Sequence, residues 1–180
     1  MKTRNLLAAL LAPLALSACQ GSAHPPLATA AQVDLPRFMG AWYVIANIPT
    51  FIEKGAHNAI ESYALNPDGS IATTFSFRQD GFDGEAKRYT PTGYVLDTQS
   101  NAVWGMQFIW PFKSDYRIVY LTPDYSQTVI GREKRDYVWI MARTPQISDA
   151  DYAQIIALLK AQGYDVTQIQ KVPQRWEKPS

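Results

Sequence analysis

Gly40-Ala41-Trp42-Tyr43-Val44-Ile45-Ala46-Asn47-Ile48-Pro49-Thr50-Phe51 crowds aromatic and β-branched residues together without one charge. Such side chains are stiff in a helix and pack well on a pleated surface, so Ala41–Phe51 predicts a β-strand. Working outward, seven more short apolar or alternating runs recur, at Asn58–Leu65, Ile71–Arg78, Gly84–Leu96, Ala102–Trp110, Tyr116–Leu121, Gln127–Gly131 and Tyr137–Ala142. Turn chemistry separates them. Asn66-Pro67-Asp68-Gly69 is the strongest such signal, and Asp80–Gly84, Asp97–Asn101 and Arg132–Asp136 supply further hairpin connections. Eight sequential strands with short links predict an up-and-down antiparallel barrel, whose closure leaves no sheet edge unpaired.

One segment departs from this pattern. Ser148 is a helix N-cap candidate with Asp149 and Asp151 in the first turn. Ile155, Ile156, Leu158 and Leu159 then form an apolar stripe that Gly163 stops. The prediction is an all-β domain carrying one C-terminal helix of about four turns, its apolar face packed on the outside of the barrel. A short strand is expected at Asp165–Lys171.

The beginning of the chain reads as an export signal. Lys2 and Arg4 precede an apolar run from Leu6 to Leu16, and Leu16-Ser17-Ala18-Cys19 closes it. That run is about half the length needed to span a bilayer, which fits a signal peptide over residues 1–18. Its ending resembles a bacterial lipobox, in which the cysteine receives diacylglycerol. Cys19, the single cysteine of the chain, is therefore the expected lipidation site, and no disulfide is expected. Residues 19–32, rich in Ala, Pro, Ser and Gly, predict a lipidated flexible tether; 33–176 is the domain and 177–180 a tail. Gln20 stands where a retaining aspartate would hold an enterobacterial lipoprotein in the inner membrane, so the resemblance implies the outer membrane, facing the periplasm.

Without Lys2 and Arg4 the chain keeps 15 basic against 16 acidic side chains. That balance gives no electrostatic footprint for nucleic acid.

Three motifs carry a resemblance to a family. Gly40-Ala41-Trp42 resembles the Gly-x-Trp signature opening the first strand of the lipocalins, and Thr122-Pro123-Asp124-Tyr125 resembles the turn between their sixth and seventh strands. Arg143, in Ala142-Arg143-Thr144-Pro145, matches the arginine that ends their last barrel strand. Arg135-Asp136-Tyr137-Val138-Trp139-Ile140 is particularly similar to bacterial lipocalins. The resemblance implies that Gly40, Trp42 and Arg143 close one end of the barrel, with Arg143 stacked on Trp42. It also implies a lipid ligand, a fatty acid or lysophospholipid, and a role in lipid storage, transport and membrane maintenance.

Alternation along strands then suggests a lining. Inward Trp42 would carry Val44, Ala46 and Ile48 with it, and inward Arg143 would carry Met141, Trp139 and Tyr137. The ligand-binding candidates are Trp104, Met106, Phe108, Tyr116, Ile118, Tyr120, Trp139 and Met141. Glu61 is expected on the solvent face or paired with a cation. A solid aromatic core remains an alternative, because eight strands can be filled by side chains or hold one small ligand.

No catalytic residue, metal site or cofactor is expected. The histidines are His24 and His57 only, no Gly-x-Ser-x-Gly turn is present, and no metal-ligand spacing occurs. Haem or pigment binding and a membrane-tethered interaction module are the alternatives. Trp110-Pro111-Phe112 could serve as a docking loop, for a homodimer among others, or as a lid.

Overall fold

The computed structural model describes residues 24–176; the expected signal peptide, Cys19 and the 177–180 tail lie outside them. Ten strands form one antiparallel sheet: β1 (Gly40–Ile48), β2 (Ala56–Leu65), β3 (Ile71–Gln79), β4 (Ala86–Tyr89), β5 (Thr92–Val95), β6 (Val103–Ile109), β7 (Phe112–Leu121), β8 (Gln127–Gly131), β9 (Val138–Ala142) and β10 (Gln170–Lys171). Neighbours follow chain order, and β9 pairs back onto β1, closing the barrel. Both β4 and β5 pair with β3. They are two halves of one barrel stave, interrupted at Thr90-Pro91, where proline has no N–H for the ladder. The barrel therefore has eight staves, and the expected unbroken strand at Gly84–Leu96 is two.

Helix α1 (Leu35–Phe38) crosses the closed end and α2 (Asp149–Ala161) lies outside the barrel. The Ser148 side chain caps α2 by accepting from the Asp151 N–H, and Asp149 and Asp151 complement the helix dipole. Ile155 and Leu159 are fully buried against Ile45, Ala46, Val129 and Ile140 on the outer sheet face. Each contributes on the order of 1.5–3 kcal/mol by leaving water. Strands β1, β8 and β9 are covered on both faces, which explains their near-continuous apolar sequences. The expected strand at Asp165–Lys171 is a 3₁₀ turn at Val166–Gln168 followed by the two residues of β10. Strand β10 fills the gap where β1 and β2 diverge, pairing with Ala46 and Asn47.

Two bulges alter the expected alternation. The β1–β9 register shifts between Val44 and Ala46, so Val44 faces the interior while Ala46 and Ile48 join the outer layer beneath α2. The β7–β8 register shifts between Ile118 and Tyr120, with the same result for Tyr120. An extra residue on one strand moves every later side chain to the opposite face.

Residues 24–32, expected to belong to a free tether, are packed on the barrel. Leu27 is buried, and its N–H donates to the Glu133 carboxylate at 3.2 Å. Arg135 donates to the Pro25 carbonyl at 2.6 Å, and the Ala30 N–H reaches the Ile118 carbonyl at 2.8 Å. Composition alone hides these hydrogen bonds, because residues 24–32 make them through their own backbone groups.

Candidate functional site

The closed end is built from the residues that open the chain's strand pattern. Pro36 stands at the start of α1 and Asp34 caps it, accepting from the Arg37 N–H at 3.1 Å. Gly40 has φ +94°, a left-handed conformation that glycine adopts without cost, and a β-carbon there would sit 3.4 Å from Arg143 Nη1. That conformation brings Trp42 inward, with its indole N–H donating to the Phe38 carbonyl at 2.9 Å. The Arg143 guanidinium lies 3.6 Å from the centre of the Trp42 ring. It also donates to the carbonyls of Arg37, Phe38, Met39 and Ala41 at 2.8–3.0 Å.

Above this plug lies a second aromatic layer. Trp104 is fully buried, stacked on Tyr116 with ring centres 5.4 Å apart and edge-on to Phe38 and Tyr63. Its indole N–H is satisfied by the Asn101 carbonyl at 2.7 Å. The Tyr63 and Tyr116 hydroxyls are hydrogen-bonded to each other across the barrel.

From this layer to the open end runs a cavity of about 520 Å³, within the usual range for small-molecule sites. Phe75, Met106, Phe108, Tyr116 and Trp139 supply its apolar wall, and Phe51 and Ile52 of the β1–β2 connection stand at its mouth. Of the expected ligand contacts, Met106, Phe108, Tyr116 and Trp139 line this space. Trp104, Ile118 and Met141 lie beneath it in the packed core, and Tyr120 lies outside it because of the β7 bulge. A hollow of similar volume near Asp34, Asn101 and Tyr125 is an open dimple at the closed end with a mostly polar surface.

Glu61 is the main departure from expectation. It is buried and lines the cavity, because β2 pairs with β1 so that Glu61 stands directly opposite Trp42 and shares its inward face. Among the described residues no cation pairs with it. Desolvation, reinforced by the negative charge of Glu53, pushes its carboxyl up to about 8. At neutral pH it carries its proton and is a hydrogen-bond donor within an apolar sleeve. Burial and the nearby Glu61 charge likewise hold the Tyr63 and Tyr116 phenols well above their ordinary range. Glu53, also buried, accepts from the Trp139 indole N–H at 2.6 Å and from the Thr50 N–H at 2.8 Å. This ties the β1–β2 connection to the wall and orients the Trp139 ring. The cross-strand partner of Trp42 was the signal for Glu61, but it is readable only once the β1–β2 register is known.

Among the described residues the cavity lining includes one cation. Arg132 lines the cavity, 3.4 Å from Asp136 and 5.3 Å from the centre of the Tyr137 ring. Among the described residues no three His, Cys, Asp or Glu side chains gather as metal ligands.

Comparison with known proteins fits this geometry. The lipocalin-like domain model matches residues 33–174. Temperature-induced lipocalin-1 of Arabidopsis thaliana is 34% identical over 155 residues, 79% of this chain and 80% of that protein. The outer membrane lipoprotein Blc of Citrobacter freundii is 28% identical over 173 residues, 94% of this chain and 96% of its own length. Among solved structures, insecticyanin of the tobacco hornworm superposes with a TM-score of 0.66 at 14% identity, covering 86% of this chain and 87% of that one.

Proposed function

Because this chain belongs to the lipocalin family, whose members bind and transport small hydrophobic ligands, we propose that it carries a single-chain lipid, a fatty acid or a lysophospholipid, in its barrel. In the same proposal the protein is held to the outer membrane by lipid on Cys19, faces the periplasm, and stores or moves lipids during membrane maintenance. The observation that carries the ligand reading is the 520 Å³ apolar sleeve above the aromatic floor, open at one end. A flexible acyl chain suits walls of Met and aromatic side chains, which adapt and bury large area. The similarity to an outer membrane lipoprotein supports the location.

The ligand's tail would lie against Met106, Phe108, Tyr116 and Trp139, and end on the layer made by Trp104, with Ile118 and Met141 packed below. Protonated Glu61 would donate to a polar atom of the buried portion, a hydroxyl or carbonyl. An anionic head would meet Arg132 at the mouth.

The test is a titration of the Cys19→Ala chain with lysophospholipid below its micelle concentration, followed by tryptophan fluorescence. Saturation at one ligand per chain is expected, and Met106→Trp, which fills the middle of the sleeve, should weaken binding at least about tenfold, the factor that corresponds to 1.4 kcal/mol. A linear, unsaturable response in both proteins would refute the proposal.

A further inference from the structure

Among the described residues the four largest exposures of apolar side chains all occur at one end of the molecule. Phe51 is 85% exposed on the β1–β2 connection, and Ile109, Trp110 and Phe112 are 73%, 81% and 76% exposed on the β6–β7 hairpin. Both connections border the cavity mouth, and Phe51 and Ile109 are part of its lining. Exposed apolar residues scattered singly need no explanation, but four aromatic or aliphatic side chains around one opening are a contact surface. The β6–β7 link is a tight hairpin, with Ile109 paired to Phe112 and only Trp110 and Pro111 between the strands. It is therefore too short to fold over the opening as a lid, the other role open to it.

The same end receives the start of the described chain. Pro25 and Leu27 are held by Arg135 and Glu133 of the β8–β9 connection, whose flanking Arg132 and Tyr137 line the mouth. Five residues lie between Cys19 and Pro25, six Cα–Cα steps along the chain. A chain of six residues spans at most roughly 20 Å. The ten-residue strand β7 is about 33 Å long, and at the strand tilt usual in barrels it puts roughly 25 Å between the mouth and the closed end. A lipid on Cys19 thus reaches a bilayer at the mouth and does not reach one touching the closed end.

From these two observations we infer that the barrel sits mouth-down, with Phe51, Ile109, Trp110 and Phe112 in the interfacial layer of the phospholipid bilayer. This rests on the proposed lipid anchor at Cys19. The anchor supplies proximity, and the rim supplies orientation. Aromatic side chains suit that layer, where one part of the ring meets hydrocarbon and another meets water. Exposed Lys54 and Lys134 on two of the mouth connections suit anionic head groups, while Asp80 and Asp83 on the β3–β4 connection favour water on that side. In this pose an acyl chain passes from bilayer to sleeve without crossing bulk water.

The test uses the mature lipidated protein in vesicles of phosphatidylethanolamine and phosphatidylglycerol. An environment-sensitive dye is attached in turn at Phe112→Cys on the rim and at Gln99→Cys on the closed end, both exposed positions. Flotation with the vesicles reports the anchor, and the dye reports orientation. Flotation with a blue shift at 112 that brominated acyl chains quench, and no shift at 99, is the expected result. Flotation with equal shifts at both positions, or with none at 112, overturns the orientation and leaves the anchor standing. Failure to float overturns the anchor and the orientation with it. A concentration-dependent shift at 112 without vesicles assigns the rim to a second copy of the chain and overturns the membrane contact.

Discussion

The guanidinium of Arg143 lies 3.6 Å over the ring of Trp42 while its donors satisfy four carbonyls of the segment that crosses the closed end. One side chain thereby joins the last strand of the barrel, the first strand and helix α1. The stacking itself contributes about 0.5–2 kcal/mol when desolvated. The carbonyls matter too, since removing Arg143 takes a donor from the part-buried carbonyls of Phe38 and Met39.

Trp42→Ala should cost about 3–5 kcal/mol in chemical denaturation, as large aromatic deletions in a packed core do. Arg143→Lys keeps the charge and loses the planar fork, so it should recover less than half of the stability lost in Arg143→Ala. Equal stability of the Lys variant and the parent would show that charge alone closes the barrel.

Glu61 predicts a pH dependence. Its carboxyl titrates near 4.5 when unfolded and near 8 when folded. Between those values the folded state holds a proton that the unfolded state has released, so stability falls as pH rises through the window and is lowest above it. Glu61→Gln removes this term. The variant should match the parent at pH 4 and exceed it at pH 9, by about 5 kcal/mol as an upper bound at 1.36 kcal/mol per pKa unit. Thermal melts at the two pH values check this; a parallel offset at both would contradict it.

The β7 bulge separates Tyr120 from the cavity, whereas Trp139 lines it. Tyr120→Ala should leave lipid affinity unchanged within about twofold, while Trp139→Ala should weaken it by about tenfold or more, the factor for 1.4 kcal/mol. Fluorescence-detected or calorimetric titration distinguishes them. Equal losses in both would place Tyr120 inside.

The barrel was legible because its signals are local: strand-forming runs, turn residues and a capped helix each depend on neighbours in sequence. The plug was legible too, since Gly40, Trp42 and Arg143 carry a pattern that does not need the register. The lining was only half legible. Met106, Phe108, Tyr116 and Trp139 follow from alternation, which in β6 survives a register shift between Met106 and Ile109, but depth does not, and Trp104, Ile118 and Met141 lie below the cavity. Alternation fails at the bulges of β1 and β7, and nothing in Val119 or Ile45 announces them. Glu61 needed the β1–β2 register, which links residues 19 positions apart through Trp42. Residues 24–32 read as a tether because their partners are distant backbone and side-chain groups, Glu133, Arg135 and Ile118.

Native mass spectrometry of the Cys19→Ala chain, purified from a bacterial host without detergent, reads the occupancy of the barrel directly. The parent should retain one lipid-sized adduct per chain that gentle activation releases as a fatty acid or lysophospholipid. Met106→Trp, with the sleeve filled, should fly largely at its bare mass. Identical adducts on both proteins, or none on either after added lipid, would contradict lipid carriage inside the barrel.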